Sequence, residues 1–254
     1  TIAVPTTFHE RVSIDALEKS VHVLVEKPLS HDVESSISIV EQARHNNLKL
    51  AVGHIEQHNP IIKKIKKNLF NGTWGEVLSI SSQRFSPYPQ RINDVGVLTD
   101  LTIHDVDIIR SLFESDCKSI FVAGTKPIKP NFEDNVKCIL KFDNGKIGLC
   151  ETNWITPHKV RNIEITTTTH SIRANYIAQT IDVSKMPLSD QYSPDSLSEF
   201  SVQVNKEEPL KLELIDFLDS IIKDKDPLVT GHSGIQAVKI IQAGLQSLKE
   251  GIAI

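Results

Sequence analysis

Two short segments of this sequence carry residue types that together could oxidise an alcohol. Lys27 follows Glu26 at the end of an apolar run, residues 21–25. Asp100 and His104 are spaced i,i+4, so a helix places both side chains on one face. An imidazole oriented by a carboxylate can accept a hydroxyl proton, and an ammonium group stabilises the developing alkoxide while a nicotinamide takes the hydride. These three side chains are therefore the candidate catalytic residues.

The segment that carries Lys27 alternates short apolar runs with helical periods. The pattern predicts strands at residues 2–4, 21–25 and 48–52 and helices at 9–19 and 33–46. This order indicates a parallel sheet with right-handed crossovers, and it places Lys27 at the carboxyl end of its strand, where open α/β sheets bind ligands. The sequence contains no Gly-x-Gly-x-x-Gly motif. Residues 1–58 are therefore predicted to be the C-terminal half of a Rossmann domain whose N-terminal half is missing.

The rest of the chain predicts a second domain, residues 59–254, in which an open-faced and mostly antiparallel sheet has helices on one face. The fold class is thus α/β followed by α+β. The final helices could pack either in the second domain or against the first. The predicted helices are 60–70, 99–113, 208–223 and 232–249, and the predicted strands are 76–85, 118–123, 136–142, 146–154, 160–166 and 171–176. Asn144-Gly145 predicts a type I′ hairpin turn. Residues 182–198 are expected to form a long surface loop.

Composition excludes several classes of partner. A length of 254 residues favours two domains, and a formal net charge of -4 gives no basic surface for nucleic acid. No apolar run approaches the roughly 18 residues of a membrane span, and no signal peptide is evident, so a cytoplasmic protein with no membrane partner is expected. Three cysteines without a Cys-x-x-Cys pair indicate small core residues in a reducing compartment.

Several residues allow two interpretations. His54 and His58 could share zinc on a helix, but the preceding strand and the following Asn-Pro pair argue against that helix, and spacing supplies no third ligand. We therefore predict no metal site. Arg161 could bind a nucleotide phosphate or be a surface charge. Trp154 and Tyr176 could stack on a sugar or pack in the core.

Three segments at residues 3–9, 23–28 and 96–105, in this order and at these separations, resemble the glucose-fructose oxidoreductase, inositol dehydrogenase (Gfo/Idh/MocA) family. The resemblance implies a dehydrogenase that uses NAD or NADP, which the sequence leaves as alternatives, on the CH–OH group of a small sugar or UDP-sugar. It also implies a homodimer or homotetramer formed through the C-terminal sheet. Lys27 would be the active-site lysine, with Asp100 and His104 beside it. At Gln57 the family often has arginine instead.

The resemblance also implies further site residues. The cofactor would be bound by Pro5, Thr6, His9, Glu26, Lys27, Pro28 and His54, with a cis peptide before Pro28. The substrate would be bound by Lys27, Arg84, Arg91, Asp100, His104 and Arg161. Residues 84–89, 152–154 and 209–213 look most like the branch that oxidises the 3-hydroxyl of UDP-N-acetyl-hexosamines. The alternatives are an inositol or aldose dehydrogenase of the same family, and a cofactor-free ligand-binding module.

Overall fold

The computed structural model describes residues 1–90, 92, 95–128, 131–186 and 198–254. Its helices are α1 His9–Glu18, α2 Val33–His45, α3 Pro60–Phe70, α4 Ile103–Phe113, α5 Pro209–Ile222 and α6 Gly231–Glu250. Its strands are β1 Val23–Glu26, β2 Leu50–Gly53, β3 Val77–Phe85, β4 Cys117–Thr125, β5 Asn135–Phe142, β6 Ile147–Asn153, β7 Val160–Thr167, β8 His170–Asn175, β9 Thr180–Lys185 and β10 Glu199–Val202. Short 3-10 turns cover Thr6–Phe8 and Ile55–His58, and a π-helical turn covers Leu98–Thr102.

The described residues form two compact units. The first unit contains Thr1–His58 and Glu207–Ala243, and the second contains Asn59–Lys206 and Gly244–Ile254. Helix α5 and most of α6 are thus parts of the first unit, although they lie far along the chain from β1 and β2.

In the first unit, β1 and β2 pair in parallel, as predicted. The first predicted strand is shorter than expected, because only Ile2 bridges to β1. Both faces of the pair are covered. Leu17 of α1 and Ile39 of α2 pack in the core that contains Val23 and Val25, while Phe217 of α5 packs on Leu24 and Ala51 on the opposite face. Burial on both faces explains why β1 is a continuous apolar run rather than an alternating one.

The second unit is built on an eight-stranded sheet in the order β10-β9-β8-β7-β3-β6-β5-β4. The β3–β6 pair is parallel and every other neighbouring pair is antiparallel. Helix α4 lies close against one face, since a Cβ at Gly148 of β6 would come within 2.9 Å of Ile109 Cγ2. The other face exposes apolar side chains such as Phe121 and Ile139. This architecture confirms the predicted open-faced, mostly antiparallel sheet.

Two local predictions were wrong. The β5–β6 turn is not type I′, because Gly145 has a φ of 80° whereas Asn144 does not have a positive φ. The Gly145 N–H donates to the Phe142 carbonyl at 2.9 Å, which gives a three-residue loop closed by a left-handed glycine. The loop expected at 182–198 is contradicted at residues 182–185, which belong to strand β9 and pair with β8 and β10. The two buried residues of β9, Ile181 and Val183, form an apolar pattern that is too short to predict a strand. Residues 187–197 lie outside the described part of the chain.

Cys138 and Cys150 face each other across β5 and β6 and are fully buried. Burial raises the pKa of both thiols, so they remain neutral core groups. Among the described residues, no helix combines the length and the apolar character needed to cross a membrane.

Candidate active site

Lys27 lies directly after β1, at the carboxyl end of the parallel pair, and its side chain is half-buried. The peptide between Lys27 and Pro28 is cis, as expected. Buried His9 fixes this strand end. Its Nδ1 lies 2.8 Å from the Pro28 carbonyl oxygen and its Nε2 lies 2.9 Å from the Val4 carbonyl oxygen. Since both ring nitrogens are engaged by backbone, His9 holds two segments of the expected cofactor site together rather than offering a ring nitrogen to a ligand.

Other residues expected near the cofactor lie at the same sheet edge. Glu26 pairs with Gly53, and a Cβ at Gly53 would come 3.0 Å from Glu26 Oε2, so this close approach favours glycine. His54 follows β2 directly and is buried. Pro5 and Thr6 begin the 3-10 turn, in which the Pro5 carbonyl accepts the Phe8 N–H at 2.9 Å.

This edge fits one part of a dinucleotide. Ligands of open α/β sheets bind beyond the carboxyl ends of the strands, where Glu26, Lys27 and His54 are located. The family resemblance assigns these residues to the nicotinamide half. The glycine-rich turn whose N–H groups would bind the pyrophosphate is not part of this sequence.

In the second unit, Asp100 lies in the π-helical turn and His104 lies in the first turn of α4, which continues that turn. Both side chains are half-buried. Their separation of four residues along one continuous helix places them on the same side. Such π-helical turns occur frequently at functional sites. The two residues thus lie on one continuous helical segment, and their joint action on a substrate stays a prediction.

Buried contacts hold this helical segment. The hydroxyls of Thr102 and Thr152 are 2.6 Å apart and join the π-helical turn to β6. Glu133 Oε1 accepts the Leu98 N–H at 3.0 Å, where a carboxylate complements the amino end of a helix. A Cβ at Gly96 would come only 2.1 Å from Glu133 Oε1, so glycine leaves the room for this carboxylate. Burial raises the pKa of Glu133.

Arg84 has a different place from the one expected. Its Nε and Nη2 donate to Asp105 Oδ1 at 3.1 and 2.9 Å, and the two residues are 3% and 1% exposed. The guanidinium also lies 5.4 Å from the centre of the Tyr176 ring. Because it is enclosed between β3 and α4, we correct the substrate-binding prediction for Arg84. It is a positioning residue that ties α4 to the sheet.

The other predicted substrate contacts are only partly described. Arg161 is half-buried, and its Nη1 donates to the carbonyls of Phe85 and Val160 at 2.6 and 2.8 Å, so part of its guanidinium supports the end of β3. Arg91 lies outside the described residues. Trp154 is buried and meets the Tyr88 ring edge-on at 5.5 Å, which favours the packing interpretation.

The structure gives no support to a shared zinc site at the two histidines. His54 precedes and His58 ends a single 3-10 turn, in which positions four apart do not share a face. Within the described ranges, no group of three His, Cys, Asp or Glu side chains is placed to hold a metal ion.

Five carboxyl groups of the described residues are buried, at Asp105, Asp107, Glu133, Asp134 and Glu213, and sequence reasoning predicted none of them as such. Three of them, Asp105, Asp107 and Glu213, lie on helices. Asp105 lies among the apolar positions of α4, and Glu213 lies one turn before Phe217 on the buried face of α5. An acidic residue on the apolar face of an amphipathic helix is the signal that could have found these two. Glu133 lies outside any helix or strand and carried no such signal.

Comparison with known proteins agrees with the fold. A family model described as "Oxidoreductase family, NAD-binding Rossmann fold" matches residues 1–54, and one described as "GFO/IDH/MocA C-terminal domain" matches residues 62–173. UDP-N-acetylglucosamine 3-dehydrogenase of Acidithiobacillus ferrooxidans is 23% identical over 96% of this chain and 76% of its own length. Its solved structure has a TM-score of 0.90 at 21% identity and covers 98% of this chain and 78% of its own.

Two further proteins are similar along the chain. Myo-inositol 2-dehydrogenase of Thermotoga maritima is 26% identical over 96% of this chain and 75% of its own length. A levoglucosan dehydrogenase, solved in complex with NADH and levoglucosan, has a TM-score of 0.88 at 21% identity, covering 100% of this chain and 78% of its own. The two matching family models together span more than half of the chain. The first lies within the Thr1–His58 segment of the first unit, and the second lies within the Asn59–Lys206 segment of the second. The chain therefore belongs to the Gfo/Idh/MocA family of NAD-binding oxidoreductases.

Proposed function

We propose that this protein is an NAD(P)-dependent dehydrogenase that oxidises the 3-hydroxyl of a UDP-N-acetyl-hexosamine. The observation that carries the proposal is the single helical segment that contains both Asp100 and His104, held by Glu133 and the Thr102–Thr152 contact. Such buried support holds the backbone of this segment in place, and proton transfer requires well-positioned groups.

In the proposed mechanism, His104 accepts the proton of the substrate hydroxyl. Asp100 orients the imidazole or binds a neighbouring hydroxyl, and the Lys27 ammonium stabilises the negative charge that develops on the oxygen. A bound NAD(P)⁺ would supply the hydride acceptor, so that loss of the proton and the hydride would convert the secondary alcohol to a ketone. Glu26, Pro28, Pro5, Thr6 and His54 would shape the site for the nicotinamide half, with His9 holding the surrounding backbone.

The preference for a sugar nucleotide is supported by the similarity to UDP-N-acetylglucosamine 3-dehydrogenase in both sequence and structure. An inositol dehydrogenase is the second candidate, since a myo-inositol 2-dehydrogenase is similar over the same share of this chain. Arg161, whose Nη1 supports the backbone at the end of β3, remains the proposed contact to a substrate phosphate, and Arg91 remains a proposed substrate contact.

An absorbance assay of NADH and NADPH formation, with UDP-N-acetylglucosamine, UDP-N-acetylgalactosamine, myo-inositol and glucose as substrates, tests the substrate. We expect the highest kcat/KM with a UDP-N-acetyl-hexosamine, since a phosphate contact adds binding energy that a free sugar lacks. Highest kcat/KM with myo-inositol would establish the second candidate instead. Sugar binding without cofactor reduction on any substrate would favour a cofactor-free binding module.

We also propose that copies of the chain associate through the open face of the eight-stranded sheet. Ile139, half exposed at 50%, is flanked across the strands by Phe121 and Leu149 on that face. An exposed apolar row on a sheet is typical of an interaction surface.

Ile139→Asp should therefore convert a dimer or tetramer into a monomer, as measured by sedimentation equilibrium. Ile177→Asp, at an exposed residue that follows β8, serves as the matched control and should leave the oligomeric state unchanged. A monomeric wild-type protein, or an Ile139→Asp variant that stays oligomeric, would contradict the interface.

A further inference from the structure

A buried carboxyl group in the first unit has no part in the mechanism above. Glu213 of α5 is only 2% exposed, and its Oε1 has no hydrogen-bond partner among the residues that the structure describes. An unpaired carboxylate in such a place is costly, whereas a protonated carboxyl is tolerated. Burial therefore favours the protonated form of Glu213, which can donate a hydrogen bond to a neighbouring acceptor.

Helix and strand periodicity identify that neighbour. Phe217 packs on Leu24 and Ala51, and Glu213 precedes Phe217 by one helical turn on the same face of α5. Glu26 lies two residues beyond Leu24, on the same face of β1.

The Glu26 side chain itself lies on that face. Its Oε2 is 3.0 Å from the position of a Cβ at Gly53, and Gly53 is two residues beyond Ala51 on the face that α5 covers. Both carboxyl groups thus lie at the carboxyl edge of the β1–β2 pair, and Glu26 immediately precedes Lys27 in the sequence.

We propose that Glu26 and Glu213 form a carboxyl pair that shares one proton and positions the strand end that carries Lys27. Glu213 is buried and Glu26 is half-buried, and two like charges at this edge would repel, so one proton is retained at Glu213. A retained proton lets the two groups attract each other, and it keeps α5 and β1 together next to the lysine. The inference rests on the proposed function only for the role of Lys27.

Other charged groups lie near Glu213. Asp216, on the same helix, accepts the Leu228 N–H at 2.7 Å and lies 3.8 Å from Lys225 Nζ, and its charge acts on Glu213 in the same direction as that of Glu26. The Ile55–His58 turn, which also packs against α5, contributes Glu56 and His58. Burial, followed by the charges of Glu26 and Asp216, raises the pKa of Glu213 to about 7.

The sign of the stability effect follows from this raised pKa. The folded chain holds a proton that the unfolded chain releases above the ordinary glutamate value of 4.5. The stabilisation is therefore complete at low pH and is lost as the pH rises toward about 7. We expect the Tm of the wild-type protein to fall over this range and the Tm of Glu213→Gln to fall less, because glutamine stays neutral.

The direct test is a carboxyl ¹³C NMR titration of the full chain labelled at glutamate, with the Glu213 signal assigned by its loss in Glu213→Gln. The wild-type signal should titrate with a midpoint near 7, and Glu26→Gln should lower that midpoint. Glu208→Gln, an exposed control just before α5, should leave it unchanged. A wild-type midpoint below about 5, in the range of exposed glutamates, or a midpoint insensitive to Glu26→Gln, would overturn the pair.

A second measurement tests the positioning of Lys27. The rate at which acetic anhydride labels Lys27 should show an inflection at the pH where the pair loses its proton, and Glu213→Gln should remove that inflection while Glu208→Gln retains it. A Lys27 profile identical in wild type and Glu213→Gln would overturn the positioning role. Neither measurement uses cofactor or substrate, so their failure leaves the proposed dehydrogenase standing, and absence of turnover leaves the carboxyl pair standing.

Discussion

Replacement of Lys27 by methionine is expected to lower kcat by a factor of about 10² or more, because the substituted side chain keeps the length but loses the ammonium that stabilises the developing alkoxide. Lys27 follows the last residue of β1 rather than lying within the strand, so the fold should be retained. The measurement is kcat on the best substrate, with circular dichroism to verify folding. Lys19→Met, at an exposed lysine just after α1, is the matched control and should retain wild-type turnover.

His104→Asn should give a comparable loss in kcat, because asparagine can hydrogen-bond to the hydroxyl but cannot accept its proton. If the two residues act in one step, the double variant should lose less than the product of the two single effects. Wild-type turnover in either single variant would contradict the role assigned to that residue.

The largest stability effect is expected at the buried Arg84–Asp105 pair. Arg84→Met removes the partner of a carboxylate that is 1% exposed, and a buried charge left without its partner typically costs about 3–5 kcal/mol. Because the pair joins β3 to α4, the same change should loosen the segment that carries His104. Urea unfolding, read as the free energy of unfolding, measures the first effect, and kcat measures the second.

Two controls separate burial from charge in that experiment. Lys137→Met breaks the exposed Lys137–Glu151 pair on the same sheet, whose N–O distance is 3.2 Å, and should cost less than about 1 kcal/mol. The double variant Arg84→Met with Asp105→Leu removes both charges and should recover much of the lost stability. Equal losses in the free energy of unfolding for Arg84→Met and Lys137→Met would show that the buried Arg84–Asp105 pair stabilises the fold no more than an exposed ion pair does.

The sequence predicted most helices and strands because their signals are local. The helix at 60–70 carries a proline at its start and Asn71-Gly72 at its end, and the structure places α3 at the same residues. The candidate catalytic residues could be identified for a similar reason, since the spacing of Asp100 and His104 is a property of one helix.

The supporting contacts could not be predicted because they join residues far apart in the sequence. Arg84 binds Asp105 across 21 residues, and Glu133 accepts the Leu98 N–H across 35. A polar residue type gives no indication of whether it will face a ligand or another buried group. For that reason the sequence alone predicts a substrate contact for Arg84, and it indicates Glu213 only as part of a segment typical of one family branch.

The central claim is that Lys27, Asp100 and His104 act on a single substrate hydroxyl. A crystal structure with NAD(P)H and the oxidised or intact sugar nucleotide bound tests it most directly. We predict that Lys27 Nζ and a His104 ring nitrogen both lie within about 2.6–3.2 Å of the same sugar oxygen. A complex in which the two side chains contact different molecules, or in which either lies beyond reach of that oxygen, would contradict the account.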